Sequence, residues 1–298
     1  MAEIMSPEDA SGDRVVHATD PHFWHVTLNP ARLAGKRALG MANLVLRRRR
    51  HLRTDLAETF AREIAATGAG TVIVSGDLTT TALEEEFAAA RTFLDALAAL
   101  GPRPLVIPGN HDVYTFSSAR RRLFERFLGQ YLPAPELPAR ILLPRGAPVV
   151  FYPGTGPNVI TSRGRMDRAV IRRTAELVAG APAGRPVLLV GHYPLLSRTE
   201  AYREAWSHRL PRAREFREAL AATGRTVLCA AGHVHRFSLV NDPEHSALFH
   251  LASEPLFLRR TVQEGAFSSI LCSPAGFSVS RCLRRDGLWD TMPPAQLP

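Results

Sequence analysis

Residues 104–112, PLVIPGNHD, join a short apolar run to a polar turn, and this combination decides the fold. Four further runs are equally short, apolar and bounded by polar turns: VVHAT at 15–19, TVIVS at 71–75, PVLLV at 186–190 and TVLCAA at 226–231. Such runs predict buried strands. Helical patterns occur at residues 56–66, 81–100, 117–128, 168–178 and 212–222. Strands that alternate with helices predict an α/β fold with a partly parallel sheet.

The remaining segments show how the chain is organised around these strands. Thr81 and Glu84 predict a capping box at the start of the helix at 81–100, and Gly101 and Pro102 predict the end of that helix. Residues 131–157 are rich in proline and predict a long surface excursion. From Ala247 onwards, strand-like runs without helices predict a second, mainly antiparallel set of strands. Because no Pro, Gly or Ser-rich linker divides the chain, we expect one domain over residues 1–298.

Composition excludes several classes of protein. The chain has 298 residues, 45% hydrophobic and 22% charged, which is enough apolar content for a full core and excludes intrinsic disorder. The longest mainly apolar stretch, 38–46, is far shorter than the roughly 20 residues of a membrane-spanning helix. The first dozen residues contain no apolar signal region, so we predict a cytoplasmic protein. The three cysteines lack CxxC spacing, and we expect buried thiols.

The positive charge is concentrated in one segment. The net charge is +9, yet residues 32–53 hold eight bases and no acid, which leaves 29 bases and 28 acids elsewhere. Apolar residues at helical spacing predict a basic amphipathic helical insertion at about residues 31–53. This helix either binds an anionic membrane surface or packs its apolar stripe on its own domain. Nucleic acid is a weaker alternative, because no aromatic residues interleave the bases. The candidate membrane-binding residues are Lys36, Arg37, Met41, Leu44, Val45, Arg47, Arg48, Arg49 and Arg50.

A short polar motif follows each of the five predicted strands. The motifs are TDPH at 19–22, GD at 76–77, GNHD at 109–112, GHYP at 191–194 and GHVH at 232–235. The carboxyl ends of strands are where open α/β sheets build their sites. Five of the eleven histidines lie in these motifs, so we expect the motifs to converge.

The residue types in these motifs predict a metal site. Carboxylates, imidazoles and one amide oxygen, without thiolate, suit manganese, iron or zinc. Asp20 and His22, like His233 and His235, are two residues apart, so in extended backbone both members of each pair project to the same side. Six or seven ligands are too many for one tetrahedral ion, and they predict two divalent metal ions that clamp a phosphoryl group.

In their order, the five motifs resemble the calcineurin-like metallophosphoesterases, and the resemblance spans residues 20–235. It implies an α/β fold of two stacked mixed β-sheets flanked by helices. It implies that one ion is held by Asp20, His22 and His235, that the other is held by Asn110, His192 and His233, and that Asp77 bridges them. It also implies that His111 is catalytic and that Asp112 orients it.

This chemistry predicts a hydrolase of phosphodiester or pyrophosphate bonds. Two cations beside a shared water lower its pKa towards neutrality, and His111 in its imidazolium form donates a proton to the leaving alkoxide. Arg236, directly after the last predicted ligand, is a candidate for binding an anionic substrate group.

The basic insertion bears on the substrate. Its KRALGMANLVLRRRR sequence resembles the corresponding segment of bacterial members related to the chlamydial type of UDP-2,3-diacylglucosamine pyrophosphatase, a lipid A pathway enzyme. That resemblance implies a lipid-linked substrate and a peripheral position on the inner membrane. A soluble phosphodiesterase of cyclic nucleotides or other diesters is the alternative. A noncatalytic scaffold is a third class, disfavoured because every ligand position is filled. The oligomeric state is not predicted.

Overall fold

Thirteen strands and seven α-helices are found in the part of the chain that the computed structural model describes, residues 12–33 and 35–298. The first dozen residues, in which no signal region was expected, lie almost wholly outside the described part of the chain. The strands are β1 (Asp13–Ala18), β2 (Thr71–Val74), β3 (Arg103–Val106), β4 (Ala139–Leu142), β5 (Pro148–Phe151), β6 (Val187–Val190), β7 (Val227–Ala231), β8 (Ser238–Asn241), β9 (Leu248–Ala252), β10 (Gln263–Ser273), β11 (Gly276–Arg285), β12 (Leu288–Thr291) and β13 (Ala295–Leu297). The α-helices are α1 (Lys36–Asn43), α2 (Ala57–Ala66), α3 (Glu84–Ala99), α4 (Phe116–Arg120), α5 (Leu123–Leu128), α6 (Arg168–Ala179) and α7 (Ala213–Ala221).

The strands form two mixed sheets. The first has the order β12-β11-β10-β1-β2-β3, with β13 paired to β11, and β1, β2 and β3 are parallel. The second has the order β4-β5-β6-β7-β9-β8, with β5, β6, β7 and β9 parallel. Within each sheet the predicted core strands therefore run in the same direction, which brings their carboxyl ends to one edge.

Side-chain alternation along the strands creates the layers. On β6, Leu188 and Val190 pack between the two sheets, whereas Val187 and Leu189 pack under α6 and α7. The outer face of the first sheet is covered in the same way by α2 and α3. The prediction of two mixed sheets flanked by helices is confirmed.

Residues 131–157 are not the predicted surface excursion. They contain β4 and β5, and all four residues of β5 are buried. Pro148 is the first residue of β5, where a missing N–H is tolerated, and Val149 and Phe151 enter the core between the sheets. The high proline content concealed a four-residue apolar strand.

Two helix predictions are also corrected. The carboxylate that caps α3 belongs to Glu86, which accepts hydrogen bonds from the backbone N–H groups of Thr81 and Leu83. The predicted helix at 117–128 is broken into α4 and α5, because Arg122 adopts a φ of 48°. All three cysteines are buried and unpaired, as predicted.

The basic insertion begins with α1 and continues as a π-helix, Leu44–Arg48. Met41 and Leu44 are buried against Leu52 and Leu83, and Val45 packs on the same cluster. Packing on the chain's own domain is therefore the correct alternative for Met41 and Leu44, which are buried and cannot be membrane contacts, and Val45 is half-buried in the same place. Among the described residues, no helix is long and apolar enough to cross a bilayer.

Candidate metal centre

The five polar motifs converge at the carboxyl ends of β1, β2, β3, β6 and β7. Backbone hydrogen bonds join the first two loops, from Asp20 N to the Gly76 carbonyl at 3.0 Å and from His22 N to the Asp77 carbonyl at 3.0 Å. The structure brings all seven predicted ligands together. The buried ones are Asp20, His22, Asp77, Asn110 and His192, and the half-buried ones are His233 and His235.

Asp20, His22 and His235 form the first ligand group. The Nε2 atom of His235 lies 3.0 Å from Asp20 Oδ1 and 3.2 Å from His22 Nε2. His22 Nε2 is 3.7 Å from the same Asp20 oxygen. One atom from each of these three side chains lies within 4.8 Å of the others, which is close enough for one ion to contact all three.

The second ligand group consists of Asp77, His192 and His233, with Asn110 beside it. His192 Nε2 lies 3.2 Å from Asn110 Oδ1 and 3.4 Å from Asp77 Oδ2. The same Asp77 oxygen is 4.0 Å from His22 Nε2 in the first group. Asp77 therefore faces both groups, as a bridging carboxylate must.

Backbone conformation aims these side chains. Five of the seven have a left-handed backbone with φ between 50° and 66°: Asp20, His22, Asp77, His233 and His235. Such conformations cost of order 1 kcal/mol each in residues other than glycine, and they concentrate at functional sites. The pairs two residues apart do converge, but the expectation of an extended backbone at these positions is wrong.

Gly109 makes room for the bridging carboxylate. A Cβ atom at this position would lie 2.2 Å from both the backbone nitrogen and Oδ1 of Asp77. No side chain fits there unless Asp77 moves, so the glycine of the GNHD motif is required by a close approach rather than by an unusual φ.

Hydrogen bonds to carbonyl groups fix the tautomers of three ligand histidines. His22 Nδ1 faces the Thr79 carbonyl at 3.3 Å, His192 Nδ1 faces that of Ser75 at 2.8 Å, and His233 Nε2 faces that of His208 at 2.9 Å. A carbonyl oxygen only accepts, so each of these ring nitrogens carries a proton. The opposite nitrogen is then left with its lone pair directed towards the other ligands, which is how metal-binding histidines are held.

The arrangement of lone pairs provides a test of whether metal ions fit. A neutral His192 would direct the lone pair of Nε2 at two further acceptors, the Asn110 and Asp77 oxygens. Such mutually facing acceptors repel one another unless His192 Nε2 is protonated or a metal ion lies between them. The donor set of oxygen and imidazole nitrogen atoms suits divalent metal ions. The residues present therefore fit two ions.

Electrostatics at the centre also favours positive charge. Burial alone would raise the pKa of Asp77, but His192, His111 and His22 hold it well below its usual range. Burial likewise opposes charge on His192, yet the carboxylate of Asp77 beside it raises the pKa of His192 to about 9. The carboxylates are thus ionised, and the space between them stabilises cations.

The structure corrects the predicted role of Asp112. Its carboxylate accepts hydrogen bonds from the backbone N–H groups of Gly109, Leu78 and Thr79, and so joins the loops after β2 and β3. It is fully engaged there and does not orient the His111 ring. His111 Nδ1 instead donates to the Thr80 carbonyl at 2.5 Å.

His111 lies at the edge of the metal centre. Its ring packs edge-on against His22, with the centroids 5.0 Å apart, and stacks on Tyr114 at 5.2 Å. Its backbone N–H donates to Asp77 Oδ1 at 2.7 Å. Since Nδ1 is held by a carbonyl, Nε2 is the nitrogen free to exchange a proton. Arg236, by contrast, is exposed to solvent.

One residue at the centre, Glu204, was missed by the sequence analysis. The side chain of Glu204 is buried, and neither of its carboxylate oxygens has a hydrogen-bond partner among the described residues. One of them lies 3.8 Å from His233 Nε2, and burial raises the pKa of Glu204 to about 8. No motif surrounds Glu204 in the sequence. Tyr114, two residues after the GNHD motif, stacks on the His111 ring.

Comparisons with known proteins were consistent with this geometry. A family model described as calcineurin-like phosphoesterase matches residues 13–237. The chain is similar in structure to a dimetal phosphatase from Danio rerio, with a TM-score of 0.62 and 13% identity over 95% of this chain and 99% of that one. It is also similar to the purple acid phosphatase PPD1 from yellow lupin (Lupinus luteus), with a TM-score of 0.55 and 12% identity over 95% and 54% of the two chains. At these identities the structural likeness shows the fold alone. No curated protein matched.

Proposed function

The chain belongs to the calcineurin-like phosphoesterase family and is a metallophosphoesterase-type hydrolase, and we propose that it cleaves phosphodiester or pyrophosphate bonds with two divalent metal ions. The observation that carries this proposal is the position of Asp77, whose Oδ2 faces His192 at 3.4 Å and His22 at 4.0 Å. The first ion is assigned to Asp20, His22 and His235, the second to Asn110, His192 and His233, and Asp77 is shared.

The residues of the chain have separate tasks in this reaction. When bound, the two ions supply an activated water and neutralise the charge on the phosphoryl oxygens. His111 holds its Nε2 towards the leaving group, because the Thr80 carbonyl occupies Nδ1. Burial, together with the charges of Arg48 and Lys36, lowers the pKa of His111 to about 4 in the free chain. The negative charge of a bound phosphate acts in the opposite direction, which favours protonation when substrate is present.

The first test is metal content and turnover of the purified chain. After loading with manganese, we expect about two equivalents of metal per chain and hydrolysis of bis(p-nitrophenyl) phosphate that a chelator abolishes. Restoring manganese should restore the rate. A protein that retains no metal and has no activity with manganese, zinc or iron would exclude the hydrolase and favour the scaffold.

For the substrate, we propose a lipid-linked molecule, such as UDP-2,3-diacylglucosamine, that is reached from an anionic membrane surface. The support comes from exposed apolar side chains near the insertion. Leu39 and Leu46 are 71% and 67% exposed, and Val159 and Ile160 are 70% and 80% exposed. Lys36 Nζ donates to the Thr161 carbonyl at 3.0 Å, which places the two segments side by side. An amphipathic surface of this kind binds at the bilayer interface.

Exposed arginines accompany these leucines. Arg47 in the π-helix and Arg49 and Arg50 directly after it are all exposed. Each basic residue near an anionic leaflet contributes about 1 kcal/mol of attraction. This surface replaces the one that the sequence predicted, since Met41 and Leu44 face the interior.

We expect the double variant Leu39→Ser/Leu46→Ser to bind vesicles that contain anionic lipid about tenfold more weakly, because each leucine buries apolar area in the interface. Leu288→Ser is the matched control, since Leu288 is 75% exposed on the edge strand β12. Vesicle sedimentation measures the partitioning. Replacing Arg47, Arg49 and Arg50 by serine should weaken binding to anionic vesicles only. Equal partitioning of all variants would remove the membrane from the proposal and leave the soluble phosphodiesterase.

A further inference from the structure

Two bases of the insertion turn inward to the metal centre. Arg48 Nη2 lies 3.1 Å from His22 Nε2, a predicted metal-binding atom. Lys36 Nζ lies 4.4 Å above the centre of the Tyr114 ring, which stacks on His111. Both side chains are half-buried, whereas Arg47 and Arg49 on either side of Arg48 are exposed.

Helical spacing explains why Arg48 differs from its neighbours. Arg48 follows the buried residues Met41 and Leu44 by seven and four positions, so it continues the inward stripe of the helix. The last turn is a π-helix, a form that is frequent at functional sites. A run of four identical arginines is thereby divided into one that faces the metal centre and three that face solvent.

Contacts with the motif loops fix the insertion in this place. Arg37 donates to the backbone carbonyls of Thr81 and Ala82, at 3.0 and 3.2 Å. Gly40 lies against Tyr114, and a Cβ atom at position 40 would be 2.6 Å from the Tyr114 hydroxyl. Packing of the insertion against the motif loops therefore fixes the positions of Lys36 and Arg48.

The charges at the centre favour a ligand with more than one phosphate. Asp20 and Asp77 supply two negative charges, whereas two divalent ions with Lys36 and Arg48 supply six positive ones. Arg48 and a metal ion cannot both occupy the lone pair of His22 Nε2, so the guanidinium must turn to another acceptor when the ion binds. A phosphodiester brings one negative charge, but a diester of pyrophosphate brings two, with oxygens beyond those that the ions contact.

We propose that Arg48 and Lys36 bind the phosphate oxygens outside the two metal positions, and that they select substrates with two linked phosphates. This inference rests on the proposed function and specifies its substrate class. Water adds to one phosphorus atom, the bond from that phosphorus to the bridging oxygen breaks, and the second phosphate leaves with that oxygen and its electron pair. The proton released by the water passes to solvent. Arg48 and Lys36 stabilise the charge that develops on the departing phosphate.

The test compares two ligands that differ in one phosphate. Binding of α,β-methylene-ADP, which is not cleaved at its bridge, and of AMP is measured by calorimetry on the manganese-loaded full chain. We expect the wild-type chain to bind the diphosphate at least about tenfold more tightly, and Arg48→Ala and Lys36→Gln each to remove most of this preference. Arg49→Ala, the exposed neighbour, should keep it.

Hydrolysis of bis(p-nitrophenyl) phosphate is measured on the same samples to separate the two proposals. An undiminished preference in both Arg48→Ala and Lys36→Gln, or no preference in the wild-type chain, overturns the inference even if the diester is hydrolysed. If neither this diester nor a diester of pyrophosphate is hydrolysed but the preference depends on Arg48, the hydrolase proposal fails while phosphate binding by these residues stands.

Discussion

Replacing Asp77 by asparagine is expected to lower the turnover of bis(p-nitrophenyl) phosphate about a thousandfold or more. The substitution removes a negative charge from the proposed two-metal centre, and a loss of about 4 kcal/mol of transition-state stabilisation corresponds to a thousandfold lower rate. Asp77 Oδ2 is the atom that faces His192 in one ligand group and His22 in the other. An amide oxygen there carries no net charge, so the two ions proposed for this site would lose their shared anion. Metal content after dialysis should fall from about two equivalents per chain to below one.

Asp290→Asn is the matched control for this experiment, because the Asp290 side chain is 60% exposed on β12. Loss of folding is separated from loss of metal by thermal unfolding. Manganese should raise the unfolding temperature of the wild-type chain and of the control, since a ligand that binds only the folded state stabilises it. The Asp77→Asn chain should unfold cooperatively but without this response. Full metal content with unchanged turnover would contradict the assignment of Asp77.

The sequence predicted the strands that matter most to the site, for a physical reason. A four- or five-residue apolar run that ends in glycine and a polar residue has few ways to fold other than as a buried strand with a turn. The runs before Asp77 and Asn110 are of this kind. The run in β5 is equally apolar, but prolines on both sides masked it, since Pro content predicts loops more readily than it predicts where a strand starts.

The sequence predicted which residues meet, but not how they are aimed. Asp20 and His22 have left-handed backbones because hydrogen bonds to the loop after β2 hold them there. Such contacts connect residues more than fifty positions apart, and no local pattern records them. Asp112 shows the opposite error: the family resemblance implied that it orients His111, whereas its carboxylate is bonded to the backbone of two loops.

Charge counting found the basic insertion but gave no direction for its side chains. The apolar stripe of Met41 and Leu44 was left with two possible surfaces, a membrane or the chain's own domain, because the same helical spacing fits both. Once that stripe is placed inside, the position of Arg48 at its end follows from the helical repeat. The helical repeat therefore predicts that Arg48 faces inward, but only after the apolar stripe has been placed on the chain's own domain rather than on a membrane.

Replacing His111 by asparagine is expected to slow hydrolysis in proportion to how poor the leaving group is. The ring's Nε2 is the available proton donor, because the Thr80 carbonyl holds Nδ1. For a diester with an aliphatic alcohol as leaving group, we expect a loss of about a thousandfold, the usual range for general acid catalysis. For p-nitrophenolate, which leaves without a proton, the loss should be about tenfold or less. His51→Asn, at an exposed histidine, is the control.

This dependence on the leaving group distinguishes proton donation from other roles of His111. A ring that only braced the loop against Tyr114 would, when removed, disturb Asp77 and slow all substrates equally, because the His111 backbone N–H is bonded to Asp77 Oδ1. Metal content is therefore measured on the same samples and should remain at the wild-type value. A uniform loss across the series, with metal retained, would assign His111 to positioning. A loss that rises with the basicity of the leaving group requires an acid at this position, and His111 is the residue whose geometry provides it.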